Sequence, residues 1–245
     1  MLLSPMIKRF FSTGGVHLKQ VTFRNLRGKK VSSQQWLARQ LTDPYIEKAR
    51  MMNFRCRSAF KLTEIDDRFR ILQPGFNVID CGAAPGSWTQ VAVNRVNANG
   101  KKHDDRRGKV ISVDRNNFHP IDGAIILGNS DFTSAETQEK IKVYLGQERV
   151  DVVLSDMAPN ATGIREMDVE NILNLCYSTL RFALQVSRTG ASLIVKLWQC
   201  KESKQLEDDI SKYYEDVRVM KPNASRTDSA EIFLMAREFK GVVAP

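Results

Sequence analysis

Short apolar runs, each flanked by turn residues, alternate with helical segments along most of this chain, and few architectures accommodate that alternation. Val78-Ile79-Asp80-Cys81, Lys109 to Val113, Ala124 to Leu127, Val150 to Leu154 and Ala191 to Leu197 read as buried strands. Between and before them, helices are expected at Gln34 to Leu41, Pro44 to Met52, Ser58 to Phe69, Ser87 to Val96, Ala135 to Leu145, Met167 to Val186 and Lys204 to Tyr214. Ala59, Leu62, Ile65 and Phe69 share one helical face, and Ser87 and Gln90 stand at capping-box spacing. Strands separated by helices predict an α/β fold, a mostly parallel twisted sheet covered on both faces. The last two strands, Val217 to Met220 and Ile232 to Ala236, are joined by a polar stretch without helical pattern. Parallel neighbours need a long crossover, so the final strand is predicted antiparallel. The charged segment Asn97 to Arg107 reads as a solvated loop.

A length of 245 residues suits a single domain with tails, here 1–33, 34–240 and 241–245. No run of about 18 apolar residues occurs, so no membrane span is expected. The net charge of +9 is uneven: residues 1–42 hold eight Lys or Arg and no acid, leaving 29 bases against 28 acids elsewhere. A phosphate-rich partner would explain a basic tail. So would a targeting segment: Met1 to Thr13 is apolar, basic, hydroxylated and free of acids, like a mitochondrial presequence, and Arg9-Phe10-Phe11-Ser12 resembles a matrix-protease cleavage site. Cys56, Cys81, Cys176 and Cys200 form no C-x-x-C pair, and His17, His103 and His119 lack helical ligand spacing, so neither a disulfide framework nor a metal site is expected. The thiols read as packing residues of a chain made for a reducing compartment.

The turn after the first strand reads Gly82-Ala83-Ala84-Pro85-Gly86-Ser87-Trp88. Small residues at a strand's carboxyl end suit close approach by a nucleotide. The pattern is not G-x-G-x-x-G, which disfavours a dinucleotide whose diphosphate needs that spacing. S-adenosyl-L-methionine carries no phosphate and tolerates a looser turn. Asp114, ending the second strand, is placed to accept from ribose hydroxyls, and Asp131, after the third, from an adenine amino group.

Ser155-Asp156-Met157-Ala158-Pro159-Asn160 follows the fourth strand and lacks the two prolines and the aromatic with which amine methyltransferases stack a base. Lys196 falls in a strand expected to be buried on both faces, where an ammonium is costly unless paired or at the open end. If the last strand runs antiparallel beside it, Glu231 begins where Lys196 ends, and Asp156, Lys196 and Glu231 meet on one edge. Lys61 stands roughly 100° from its helix's apolar stripe, by itself the position of a solvated lysine.

Arg57-Ser58-Ala59-Phe60-Lys61-Leu62, Gly82 to Gly86, Ser155 to Asn160 and Lys196 together resemble the FtsJ-type ribose 2′-O-methyltransferases, over about residues 35 to 240. The resemblance implies a Rossmann-like methyltransferase fold and S-adenosyl-L-methionine as cofactor. It places a Lys-Asp-Lys-Glu tetrad on Lys61, Asp156, Lys196 and Glu231, and the family's cofactor residues on Gly86, Trp88, Asp114, Asp131 and Asp156. Gly82, Ala83, Pro85, Ser87 and Phe132 complete the expected cofactor set; Ser87 stands where bacterial members usually have glycine. The tail and Ala158 to Gly163 most resemble the mitochondrial ribosomal RNA enzymes, which implies large-subunit ribosomal RNA as substrate, a uridine of the peptidyl-transferase region as target, and the matrix as location. The same reading implies a pre-ribosomal particle and other assembly factors as partners.

The implied chemistry is in-line transfer of a sulfonium methyl to a ribose oxygen. A sugar hydroxyl is a weak nucleophile, so its proton must be taken, with Lys196 as the expected base. Lys61 disfavours a second ammonium beside it, whereas Asp156 and Glu231 favour one. Arg50, Arg55 and Arg57, with Phe54 and Phe60 interleaved, and Lys221, Ser225 and Arg226 before the last strand are expected to meet RNA phosphates. Two other readings stay open: the same chemistry on transfer RNA or an mRNA cap, and an RNA-binding assembly factor whose activity is dispensable.

Overall fold

A computed structural model of the chain describes residues 43–242. The expected helix at 34–41, the N-terminal tail with its presequence-like segment and residues 243–245 lie outside the described residues. Thirteen elements follow: α1 (Pro44–Met51), α2 (Ala59–Phe69), β1 (Asn77–Cys81), α3 (Ser87–Val96), β2 (Lys109–Val113), β3 (Ala124–Leu127), α4 (Ala135–Leu145), β4 (Val150–Ser155), α5 (Arg165–Val186), β5 (Ser187–Trp198), α6 (Ser203–Ser211), β6 (Tyr214–Met220) and β7 (Glu231–Phe239).

The seven strands form one sheet in the order β3-β2-β1-β4-β5-β7-β6. Strands β1 to β5 are mutually parallel, and β7 runs antiparallel to both neighbours, β5 and β6. The final strand is therefore reversed as expected, but it lies inside the sheet and leaves β6 as the edge. One face packs Leu62 and Ile65 of α2 and Trp88 and Val91 of α3; the other packs Ile141, Leu180 and Ile210 of α4, α5 and α6. Each such side chain contributes roughly 1.5–3 kcal/mol on burial.

Three local expectations are corrected. The helix predicted to reach Tyr214 stops at Ser211, because Tyr214 is drawn into β6, where its buried ring lies 5.2 Å from that of Phe239. Ser87 does not cap α3: Gly86 occupies the cap position, in the left-handed region at φ 106°, without a side-chain cap bond. Ser87 instead meets Cys56 Sγ at 3.1 Å, and the Gln90 carboxamide holds the Asn53–Arg55 loop by accepting from the Arg55 N–H and donating to the Asn53 carbonyl. Finally, β3, expected as a buried strand, is only half-buried along its length because it forms one edge of the sheet. The charged segment after α3 is the solvated loop expected, anchored by the buried Asn97 amide, which donates to the carbonyls of Lys102 and Asp105.

Candidate active site

The carboxyl ends of β1, β2 and β4 border a cleft of about 690 Å³ whose walls include Gly82, Ala84, Asp114, Asp131, Phe132 and Asp156. Its first element is the turn after β1. The N–H groups of Gly82 and Ala83 both donate to the Val113 carbonyl, which joins the turn to the end of β2. The glycines have a more immediate reason than room for a ligand. At Gly82, φ 77°, a Cβ would sit 2.6 Å from Met157 Cγ and 2.9 Å from Met157 Cα; at Gly86 it would meet Arg55 Nη1 and Ile121 Cδ1 at 2.7 Å. Protein packed against protein requires both.

Asp114 closes the turn from the neighbouring strand: its Oδ2 accepts from the Ala84 N–H at 2.9 Å and its Oδ1 from Asn116 at 2.7 Å. Asp131 accepts from Arg115 at 2.5 Å and from the Thr133 N–H and hydroxyl. Desolvation pushes the Asp131 carboxyl upward, but these bonds outweigh it and hold the group below the ordinary carboxylate value. Asp80, fully buried in β1, is pushed up to about 7 by burial, opposed by its bond from Thr89 and reinforced by the charges of Asp156 and Asp114. Three carboxylates thus crowd the turn, and Asp156 Oδ1 is buried without a hydrogen bond. Such a site is complementary to a cation carrying donor groups, as the sulfonium and ammonium of S-adenosyl-L-methionine would be.

Trp88, expected in the cofactor set, does not line the cleft with its side chain. Its ring is 2% exposed, packs 5.7 Å from the Phe233 ring, and its indole N–H donates to the Ser58 carbonyl. The side chain belongs to the core and not to the cleft wall. Ala83 and Ser87 are likewise buried, while Pro85 is exposed.

Lys61, Asp156, Lys196 and Glu231 come together beside this cleft. Residue Trp198 pairs with Glu231, and Lys196 with Phe233, so the antiparallel register sets the start of β7 against the end of β5. Lys196 Nζ donates to the Asp156 carbonyl at 2.5 Å and stands 3.1 Å from Asp156 Oδ1, at an angle that makes the contact an ion pair without a hydrogen bond. Lys61 Nζ reaches both Glu231 oxygens, at 2.6 and 2.7 Å, and lies 5.7 Å from the centre of the Phe233 ring. Lys61 is not solvated: it and Glu231 are each only 13% exposed, and Lys196 10%. Two cross-linked pairs result, with Asp156 the member that also faces the cleft.

Ser58 was not a candidate in the sequence, yet its hydroxyl donates to Asp156 Oδ2 at 3.0 Å while its carbonyl holds Trp88. Glu64 accepts from the N–H groups of Asn223 and Ala224, tying the β6–β7 loop to α2. Only the long-range fold brings these partners together, so no local signal could have found them.

Much of the expected RNA-contact set has internal work. Arg55 donates to the carbonyls of Pro85, His119 and Pro120, clamping the cofactor turn against the segment after β2. Arg57 donates to the Ala224 carbonyl at 2.5 Å and stacks 5.6 Å from the Tyr45 ring. Ser225 is 5% exposed and donates to Glu231 at 2.9 Å, so it orients the tetrad and is too buried to meet a phosphate. Lys221 holds the carbonyls of Thr227 and Ser229. Arg50 is exposed and Arg226 half-buried. Burial pushes the Cys176 thiol up to about 12 and raises Cys81 well above its ordinary value, as for packing thiols.

A family model described as FtsJ-like methyltransferase matches residues 54–239. The chain is 56% identical over 238 residues to the "rRNA methyltransferase 2, mitochondrial" of Drosophila melanogaster, covering 96% of this chain and 95% of the relative. It is 42% identical over 231 residues to the "Ribosomal RNA large subunit methyltransferase E" of Parvibaculum lavamentivorans, covering 94% and 90%. A crystal structure described as a ribosomal RNA methyltransferase from Plasmodium falciparum superposes with a TM-score of 0.67 at 26% identity, over 77% of this chain and 100% of that one. With the family's motifs met in order and their side chains gathered on one sheet edge, the chain belongs to the FtsJ-like methyltransferase family.

Proposed function

We propose that this chain is an S-adenosyl-L-methionine-dependent methyltransferase acting on a ribose 2′-hydroxyl of mitochondrial large-subunit ribosomal RNA, a uridine near the peptidyl-transferase centre, in the mitochondrial matrix. The observation that carries this reading is the convergence of Lys61, Asp156, Lys196 and Glu231 beside a cleft rich in carboxylates. The printed names of the relatives support the RNA class and the organelle, and the acid-free basic tail supports import.

When bound, the cofactor supplies an electrophilic methyl group on sulfur. Asp114 and Asp131 would hold its ribose and adenine ends, and Asp156 would supply negative charge for its cationic part. Lys196, entering the step as the neutral amine after giving its own proton to solvent, takes the hydroxyl proton as the new bond forms, and its hydrogen bond to the fixed Asp156 carbonyl keeps the amine aimed. Glu231, oriented by Ser225 and Lys61, steers the incoming ribose. Much of the rate comes from holding the hydroxyl in line with the methyl group. A pre-ribosomal particle, with its assembly factors, is the form of substrate that would present such a ribose.

Depletion of the protein followed by mapping of 2′-O-methylation on organellar and cytosolic RNAs tests the reading; loss confined to one mitochondrial large-subunit ribose is expected, and an unchanged organellar map overturns it. Asp114→Ala is expected to weaken cofactor binding by roughly tenfold to a hundredfold, the loss of a charge-assisted bond of about 1.5–3 kcal/mol. Calorimetric titration measures this, and an unchanged dissociation constant would take Asp114 out of the site. Ser58→Ala removes the donor to Asp156 Oδ2 and should slow transfer about tenfold, with Ser58→Thr restoring it. Equal turnover in wild type and Ser58→Ala would show that Asp156 needs no such support.

A further inference from the structure

The opposite end of the domain holds a cluster that the methyl-transfer site does not use. Three guanidinium groups from three elements surround one ring: Arg68 of α2, Arg237 of β7 and Arg218 of β6 lie 5.1, 5.3 and 6.0 Å from the centre of Phe69. Arg188, at the start of β5, lies 5.3 Å from the neighbouring Phe76 ring. A shallow depression of about 270 Å³ between them is lined by Phe69, Arg70, Phe76, Arg188 and Arg237.

Ion pairing accounts for only part of the cluster. Asp216 serves Arg218 and Arg237, and Asp151 serves Arg188. Arg68 and Arg70 are exposed and have no carboxylate partner among the described residues. Glu238, also exposed, lines the same depression, while Asp66 and Asp67 on α2 pair with Arg95, so Arg68 and Arg70 are the two bases of the cluster left without a carboxylate. Arg188, Arg218 and Arg237 spend N–H groups on Asp151 and Asp216, whereas Arg68, laid on the Phe69 ring without a carboxylate, keeps the planar N–H edge suited to bidentate capture of phosphate.

The cluster is continuous with the tetrad. Lys61, Glu64 and Arg68 recur at i, i+3 and i+7 on α2 and so form one stripe. On β7, Phe233 and Met235 lie between Glu231 and Arg237 on one face and are buried beneath α2 and α3, so the open path from the tetrad to the cluster runs along α2; Arg218 reaches the same end by pairing with Met235. From Lys61 to Arg68 is about 10 Å along the helix, and from Glu231 to Arg237 about 20 Å along the strand.

The geometry points to a second RNA-binding surface: Arg68 and Arg70, set around Phe69 with Arg218 and Arg237, grip phosphates of the same RNA whose ribose enters the tetrad. This rests on the RNA-methyltransferase reading above. A surface spread over both ends of α2 fits a folded RNA, which spans the domain, better than a short single strand. Phosphate contacts of this kind orient the RNA without reading its sequence.

The test compares the full chain with its Arg68→Gln/Arg70→Gln variant. Binding to deproteinised large-subunit ribosomal RNA is measured between about 50 and 200 mM salt, beside cofactor titration and thermal melting. The variant is expected to bind RNA about tenfold more weakly, with a salt slope shallower by about 1.5, as the loss of two phosphate contacts requires. Its melting temperature and cofactor affinity should match wild type. An unchanged slope and affinity overturn the proposal. Salt-insensitive RNA binding by the wild type would instead overturn the reading on which it rests, so the two failures are distinguishable.

Discussion

Lys196→Ala is expected to lower methyl transfer by roughly 10²–10⁴-fold, the usual contribution of a positioned general base, while leaving cofactor affinity close to that of the wild type. The two halves separate because the Lys196 side chain addresses Asp156 and the edge where β5 meets β7, whereas the turn proposed to hold the cofactor is secured by Val113 and Asp114. Truncation leaves the buried Asp156 carbonyl without its donor, so some thermal stability should go as well. A tritium-transfer assay paired with calorimetric titration measures both. Transfer at the wild-type rate would exclude Lys196 as the base.

Gly82→Ala should be nearly as severe, by a route that removes no functional group. The added Cβ would fall 2.9 Å from Met157 Cα and 3.0 Å from Met157 N, and the backbone angle of 77° is one that alanine resists. The left-handed conformation alone costs roughly 1–2 kcal/mol. Relief requires Met157 to withdraw, and Asp156 must move with it. A displacement of about 1 Å in a reacting constellation costs on the order of a hundredfold in rate, and cofactor affinity should fall too because the turn itself shifts. Transfer and titration near wild-type values would mean that the β1 turn and the segment after β4 move independently.

The strands were legible wherever an unbroken apolar run is bounded by turn residues. The bounds expected for β2 and for the half-buried edge strand β3 match the structure, and those for β1 and β4 differ by a single residue. Boundaries failed where a distant partner decides them. Tyr214 carries no local mark that its ring will lie against Phe239, and Ser187 is drawn into β5 through pairing with Val150. The same contrast governs the site. The antiparallel return of β7 could be argued from the missing crossover, and it brought Lys196 and Glu231 to one edge. Lys61 could not be read in this way: by helical position it is a surface lysine, and only the family resemblance placed it with Glu231. The arginines near α2 were misread because basic residues free of acidic neighbours look like phosphate contacts. Arg55 and Arg57 instead find carbonyl partners 30 to 167 residues away.

Because β7 lies between β5 and β6, the site is finished late in the life of each new molecule. Lys61 emerges from the ribosome long before its partner: 170 positions separate it from Glu231. Until β7 is delivered, β5 is an open edge with unpaired backbone groups, the kind of border that recruits foreign strands. A polypeptide released before residue 231 would hold the whole cofactor turn and both lysines, yet lack one tetrad carboxylate and expose that border. It should be aggregation-prone and unable to transfer a methyl group. Translation of the last strand thus serves as a checkpoint, with the capacity to modify RNA arriving only once the sheet has been sealed.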